Sequence, residues 1–197
     1  MTSALLDEAR ALFGENRFAR QAGAAALGAD TAAQHEPPPP VPGLNLTPRQ
    51  LGKLWRHVET IDNFWQSLRE IEPGAVKRLG TIAAERRWEV IFLTKRPPSA
   101  GATAQVQSQR WLASKGFNRP SVYVVQRSRG LIAAALELDV VVDDRHENCC
   151  DVVVDSGARA ILIRREQSQQ LSTAAERLGV EVVGTVGECL DVLTRTG

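Results

Sequence analysis

The sequence predicts an α/β protein in which a doubly wound parallel sheet follows a small helical segment. From residue 73 onward, short apolar runs alternate with segments of helical period. These runs are rich in β-branched residues and lack strict polar alternation, which is typical of parallel strands buried on both faces. The chain has 197 residues, enough for such a domain with a core of its own.

Composition excludes several classes of partner. The 24 Lys and Arg residues nearly balance the 23 Asp and Glu residues, and the formal net charge is +1. We therefore expect neither a nucleic acid polymer nor a membrane surface as partner. The first ten residues lack the features of a secretory signal, so a cytoplasmic location is expected. The three cysteines have no metal-ligand spacing, and we expect them to be reduced and structural.

Two short segments precede the predicted sheet. Residues 1–45 are interpreted as an N-terminal helix, with apolar residues at helical spacing up to Phe13, and a partly flexible connection that includes the proline-rich run 36–43. Residues 46–70 are predicted to form a small helical subdomain. Its first helix has Thr47 as N-cap, Pro48 at the first helical position and Gln50 three residues after the cap.

Residues 71–197 are predicted to form the α/β core. Its strands are expected at 90–94, 121–125, 139–143, 159–163 and 180–183. Its helices are expected at about 74–87, 102–115, 128–138, 146–155, 168–178 and 187–194. In such sheets ligands bind beyond the carboxyl ends of the strands, so candidate site residues are sought there.

Two strand ends carry groups suited to an oxyanion. Thr94 offers a hydroxyl, and Lys95 and Arg96 follow it with positive charge. Arg129 comes after the second run and has the geometry to pair with a phosphate or a carboxylate. Solvated loop residues are the alternative interpretation at both places.

The third strand end carries an acidic pair, Asp143 and Asp144. Adjacent carboxylates at the tip of a buried strand repel each other unless a hard cation such as Mg²⁺ compensates them. The alternative is that Asp143 accepts backbone N–H bonds while Asp144 or His146 caps the next helix. Arg145 and Asn148 are compatible with supporting a metal site or with capping. Together with the oxyanion ligands, the pair predicts a pocket for a phosphate and its magnesium ion.

This order of residues resembles the haloacid-dehalogenase-like (HAD-like) phosphatase superfamily, within it the 5'(3')-deoxyribonucleotidase-like branch, over about residues 60–165. The run 90–94 looks like its second motif, ending in the phosphate-binding Thr94, and 140–144 looks like its fourth motif, with magnesium ligands Asp143 and Asp144. Arg129 is the best-placed residue for the basic third motif. The resemblance implies a Rossmann-like core, residues 46–70 as a helical cap insertion, and Mg²⁺ as cofactor.

The resemblance also implies a reaction and a class of substrate. The family hydrolyses phosphomonoesters through an aspartyl-phosphate, so the partner would be a small phosphorylated molecule, a nucleotide in this branch. Phe64 and Trp65 match an aromatic pair that lines the base pocket there, although packing in a core is the alternative for both. A non-catalytic member that binds phosphate or metal, with a regulatory role, is the second functional hypothesis.

One family motif is missing from the chain. The first motif, Asp-x-Asp after the first strand, supplies the nucleophile and the acid/base group, and no such triplet occurs in the 197 residues. In the family that strand lies between the strands that end here at Thr94 and Asp143. Because residues 2–13 resemble the helix that follows the motif, we expect the chain to be an N-terminally shortened form.

This expectation is tested by sequencing the intact N-terminus of the protein from its native source. A native chain with an additional apolar strand and an Asp-x-Asp triplet upstream is the expected result. A native protein that begins at Met1 would contradict it.

Overall fold

The computed structural model describes residues 2–13, 46–165 and 173–195, so the proline-rich run 36–43 lies outside the described residues. None of the described helices combines the length and apolar character needed to cross a membrane. The helices are α1 (Thr2–Phe13), α2 (Pro48–Thr60), a 3₁₀ helix (Phe64–Gln66), α3 (Ala75–Arg86), α4 (Ala104–Ser114), α5 (Arg129–Ala135), α6 (His146–Asp155), α7 (Thr173–Arg177) and α8 (Val186–Arg195). The strands are β1 (Ile91–Thr94), β2 (Ser121–Val124), β3 (Val140–Asp143), β4 (Arg159–Ile163) and β5 (Glu181–Val183).

The chain divides into two compact units that alternate along the sequence. The first, here called the helical unit, comprises Met1–Ile71 and Arg96–Tyr123. The second, here called the strand unit, comprises Glu72–Lys95 and Val124–Gly197. This division differs from the expected boundaries at 46–70 and 71–197, because residues 96–123 group with the helical segment instead of the core.

The start of α2 is built as the sequence predicts. The Thr47 hydroxyl accepts a hydrogen bond from the Gln50 backbone N–H at 3.3 Å, and the Gln50 side chain accepts one from the Thr47 N–H at 2.9 Å. Pro48 occupies the first helical position, where its missing N–H costs nothing. The capping box therefore satisfies two donors at the helix start and fixes where α2 begins.

The core of the helical unit forms around the 3₁₀ helix. Trp65 is fully buried, and its indole N–H donates to the Pro97 carbonyl at 2.8 Å. The fully buried Gln107 accepts from the Trp65 backbone N–H at 2.9 Å and from the Ser99 hydroxyl at 3.3 Å. These bonds satisfy polar groups that would otherwise be costly to bury, and the Trp65 ring joins the apolar side chains of α1 and α2 in one core cluster.

The five predicted strands are all present, but they form two small parallel sheets instead of the single doubly wound sheet expected. One sheet consists of β1 and β2. The other has the order β3-β4-β5, and β3 pairs with β4 in parallel with Val141 opposite Ala160. Within the described residues no strand joins β1 to β3, so each is an edge strand of its sheet.

The difference in burial between the strands follows from this topology. The central strand β4 is buried from Ala160 to Ile163, because it has neighbours on both sides. Val142 on the edge strand β3 is 40% exposed, and all four residues of β1 are only half-buried. The predicted site residues Thr94 and Asp143 therefore lie at the carboxyl ends of strands that belong to different sheets.

Two helices of the strand unit approach each other unusually closely. A Cβ added to Gly130 on α5 would lie 2.1 Å from the backbone oxygen of Asp151 on α6. Ser128, the N-cap of α5, accepts from the Gly130 N–H at 3.2 Å and donates to the Asp151 carboxylate at 3.1 Å. Only glycine fits at this contact, so Gly130 fixes the position of α5, which begins at Arg129.

This contact predicts that Gly130→Ala destabilises the protein. The added methyl group meets backbone, which cannot rotate away, so we expect the free energy of unfolding to fall by about 1–3 kcal/mol in denaturant titrations. Gly157→Ala is the matched control, because no atom lies within 4 Å of its added Cβ, and its effect should be below about 0.5 kcal/mol. Equal stabilities for the two variants would contradict the close packing of α5 on α6.

Candidate functional site

A buried pair of opposite charges lies at the carboxyl end of β3. Asp143 is the last residue of the strand, and Arg129 is the first residue of α5. The Arg129 Nε lies 3.8 Å from the Asp143 Oδ2, and the side chains are only 9% and 14% exposed. The strand therefore places a carboxylate, and the helix a guanidinium, in the same poorly solvated position.

Neutral donors from the start of α6 hold the Asp143 carboxylate. The Arg145 backbone N–H donates to Oδ1 at 2.9 Å. The Asn148 side-chain amide lies 3.0 Å from Oδ1 and 2.9 Å from Oδ2, so one N–H₂ group spans both oxygens. The structure thus realises the alternative that the sequence left open, with Asp143 as an acceptor of backbone N–H, and assigns Asn148 to the support of this carboxylate.

Burial opposes the charged form of both partners. It raises the pKa of the Asp143 carboxyl above its ordinary value, and the negative charge of Asp144 adds to this. The hydrogen bonds from Asn148 and Arg145 and the nearby Arg129 charge lower the Asp143 pKa in part. Burial likewise lowers the pKa of Arg129, while the Asp143 charge opposes that shift. Arg129 remains a cation, because a guanidinium does not lose its proton in proteins.

One polar atom of the pair is left without a hydrogen bond. The Nη1 of Arg129 is buried and has no acceptor among the described residues. Buried side-chain donors are nearly always paired, and an unpaired charged donor is especially costly. A guanidinium with a free N–H and a counter-ion no closer than 3.8 Å is suited to bind an oxyanion, which would satisfy Nη1 with a charge-assisted hydrogen bond.

The acidic pair fits a magnesium ion only in part. Both oxygens of Asp143 already accept hydrogen bonds, whereas the Asp144 side chain belongs to an exposed residue. No group of three His, Cys, Asp or Glu side chains within 2–13, 46–165 and 173–195 is arranged to hold a metal. Mg²⁺ is often bound by one or two carboxylates together with water and substrate phosphate oxygens, and Asp144 is available for such a site.

The end of β1 carries the other predicted phosphate ligands. Thr94 is half-buried, and its carbonyl accepts from the Val125 N–H at 2.8 Å. Lys95 is exposed. In the part of the chain that the structure describes, no hydrogen bond or ion pair links Thr94 or Lys95 to Arg129 or Asp143. Of the predicted site residues, the structure therefore brings Arg129 and Asp143 within 4 Å of each other without a direct hydrogen bond, and it records no such approach for Thr94 or Lys95.

The remaining candidates belong to the helical unit. Phe64 is 2% exposed and Trp65 is fully buried, so both rings pack in a core, as in the alternative kept open for them. Arg96 lies over the Trp65 ring, 5.4 Å from its centroid, and donates to the Ser108 hydroxyl at 2.7 Å. Burial lowers the Arg96 pKa to about 10. Arg96 is therefore a packed residue of the helical unit and not a free cation at a strand end.

Sequence reasoning missed the residue that positions the arginine. Gly130 follows Arg129 directly and allows α5 to approach α6, yet a lone glycine in an apolar segment gives no distinctive signal. A weak signal does exist, because serine is a favoured N-cap residue. Ser128 therefore predicts a helix start that places Gly130 in the first turn of α5.

The burial around this site predicts unequal reactivity of the three thiols. Burial, together with the Asp143 charge, raises the pKa of Cys149 to about 12, and burial raises that of Cys189 to about 11. Only Cys150 is partly exposed. Because the thiolate is the reactive form, native protein at pH 8 should be alkylated at Cys150 first, with Cys149 and Cys189 labelled only after unfolding. Peptide mapping by mass spectrometry measures this, and labelling of native Cys149 as fast as Cys150 would contradict the burial.

Comparisons with protein-family models, with curated proteins and with solved structures gave no match to this chain. Its function is therefore inferred from its own residues, above all from the pair Arg129 and Asp143.

Proposed function

We propose that the carboxyl end of β3 binds the phosphate of a small phosphomonoester, and that the chain is a HAD-like phosphatase scaffold of the deoxyribonucleotidase-like type. The observation that carries this proposal is the buried Nη1 of Arg129, which has no acceptor among the described residues. A phosphate oxygen at this nitrogen would supply the missing acceptor.

Burial favours an oxyanion over a neutral ligand at this position. The Arg129 side chain is 9% exposed, so water screens its charge poorly and an anion gains more there than at an exposed arginine. Asp143 compensates the charge only partly at 3.8 Å, since its oxygens are engaged by Asn148 and Arg145. The resemblance assigns further phosphate oxygens to the Thr94 hydroxyl, and the positive charge of Lys95 follows it, although neither residue contacts Arg129 or Asp143 among the described residues.

Magnesium belongs to the proposal as an ion that binds together with the phosphate. Asp144 would hold it, with water and phosphate oxygens as the other ligands, and Asp143 would contribute if the ion displaced a donor from its carboxylate. The ion would offset the negative charge of the phosphate. We therefore expect phosphate affinity to rise when Mg²⁺ is added, and this increment to shrink in Asp144→Asn.

Hydrolysis and binding make different demands on the chain. Hydrolysis through an aspartyl-phosphate requires a carboxylate nucleophile, and the printed sequence contains no Asp-x-Asp triplet. The second candidate is a non-catalytic HAD-like protein that binds a phosphorylated molecule in a regulatory role. For the 197-residue chain the two candidates share the same binding site and differ only in turnover.

The nucleotide assignment rests on the resemblance alone. Phe64 and Trp65 are buried in the helical unit, so neither ring offers a free face for stacking on a base in this structure. The substrate class supported by the chain's own geometry is accordingly the phosphomonoester group, with a nucleoside monophosphate as one member to be tested.

Calorimetric titration of the 197-residue chain with inorganic phosphate and with a nucleoside monophosphate, each with and without Mg²⁺, tests this proposal. We expect binding that Arg129→Met reduces by about tenfold or more, because the principal anion ligand is lost. Arg127→Met is the matched control, since Arg127 is an exposed arginine two residues away, and its affinity should stay within about twofold of wild type.

Two outcomes would overturn parts of this proposal. Absence of phosphate binding, or equal loss in the Arg127 and Arg129 variants, would contradict the site. Turnover of a phosphomonoester by the 197-residue chain, measured as released phosphate, would contradict the inference that the chain lacks its nucleophile. Denaturation midpoints of the variants confirm that each remains folded before its affinity is interpreted.

A further inference from the structure

We propose that Asn148 is a positioning residue, which holds the Asp143 carboxylate away from the Arg129 guanidinium and so leaves the positive charge of the guanidinium available to an oxyanion. This inference rests on the proposed function and specifies how the same site is kept open. It gives Asn148, for which the sequence left support of a metal site or helix capping open, a different role at the site.

The Asn148 side-chain amide contacts both oxygens of the Asp143 carboxylate. Its amide nitrogen lies 2.9 Å from Oδ2 and 3.0 Å from Oδ1 of Asp143, while the Arg145 N–H takes a further position on Oδ1 at 2.9 Å. Both donor residues belong to the start of α6, where Arg145 is the N-cap and Asn148 lies in the first turn. Together they fix both the place and the rotation of the carboxylate.

The distance between Arg129 and Asp143 is longer than that of a direct hydrogen bond. An arginine and a carboxylate in contact normally form short, often bidentate hydrogen bonds of about 2.7–2.9 Å. Here Nε and Oδ2 are 3.8 Å apart although both side chains are largely buried, a situation that strengthens their attraction. We infer that Arg129 and Asp143 form no direct hydrogen bond because the oxygens of Asp143 already accept hydrogen bonds from Asn148 and Arg145.

Removal of the Asn148 amide is therefore expected to let Asp143 and Arg129 form a direct hydrogen-bonded ion pair. The Asp143 carboxylate would rotate towards Arg129 and accept direct hydrogen bonds from it. The negative charge would then compensate the positive charge of the guanidinium. An incoming phosphate would then have to displace a carboxylate, and its affinity would fall. If Asp143 is made neutral at the same time, no carboxylate remains to compete, and the affinity should recover.

A purely structural role of Asn148 predicts a different pattern. If the amide only stabilised the first turn of α6, its removal would lower the free energy of unfolding and leave the Arg129 guanidinium unchanged. Neutralising Asp143 would not then rescue phosphate affinity. The recovery in a double variant consequently separates positioning from stability.

The experiment compares wild type with Asn148→Ala, Asn148→Leu, Asp143→Asn and the double variant Asp143→Asn/Asn148→Ala. Asn148→Leu preserves the approximate volume of the side chain, so it guards against a fold lost through a cavity. Asn118→Ala is the control, because Asn118 is an exposed asparagine in the helical unit. Each variant is measured in two ways: the ¹⁵N–¹H signal of the Arg129 Nε–H group, and calorimetric titration with inorganic phosphate.

We expect the Nε–H proton of Arg129 to shift downfield and to exchange more slowly with water in both Asn148 variants, since it gains a direct bond to Asp143. Phosphate affinity should fall by about tenfold in these variants and return in the double variant to the value of Asp143→Asn. Asn118→Ala should match wild type in both measurements.

An Arg129 Nε–H signal that is unchanged in both Asn148 variants would overturn the inference. So would a double variant that binds phosphate as weakly as Asn148→Ala. If wild type itself takes up no phosphate, the proposed function fails, whereas the Nε–H signal still decides whether Asn148 holds Asp143 apart from Arg129.

Discussion

The arrangement of the candidate site depends on one buried carboxylate, that of Asp143. It ends β3, accepts the backbone N–H of Arg145 and the amide of Asn148, and faces the guanidinium of Arg129. The strand sets its position, and the start of α6 sets its rotation. These donors hold it 3.8 Å from the Arg129 Nε, and the buried Nη1 of Arg129 has no acceptor among the described residues.

The local elements of the fold were predictable, since they are encoded in neighbouring residues. The capping box at Thr47 and Gln50 gives the start of α2, and the apolar runs give all five strands. Their division into two sheets, β1-β2 and β3-β4-β5, was not predictable, because strand pairing depends on contacts between distant segments. The hydrophobic pattern of a segment indicates that the strand is buried, but it does not indicate which other strand pairs with its edge.

The site was predictable in composition and less so in geometry. The rule that ligands gather at the carboxyl ends of parallel strands directed attention to Arg129 and Asp143, whose side chains lie 3.8 Å apart. The sequence left open whether Asp143 serves a metal or accepts backbone N–H, and only the positions of Arg145 and Asn148 distinguish these. The packing of Phe64 and Trp65, and of Arg96 on Trp65, depends on contacts between distant segments that no local pattern encodes.

The central claim is that Arg129 keeps an unsatisfied, buried donor ready for an oxyanion. A crystal structure of the 197-residue chain grown with tungstate, a heavy and easily located phosphate analogue, tests this most directly. The predicted result is an oxyanion within about 3 Å of Nη1, with the Asp143 carboxylate still bonded to Asn148. An Asp143 carboxylate bonded directly to the Arg129 guanidinium, with no anion at the carboxyl end of β3, would contradict it.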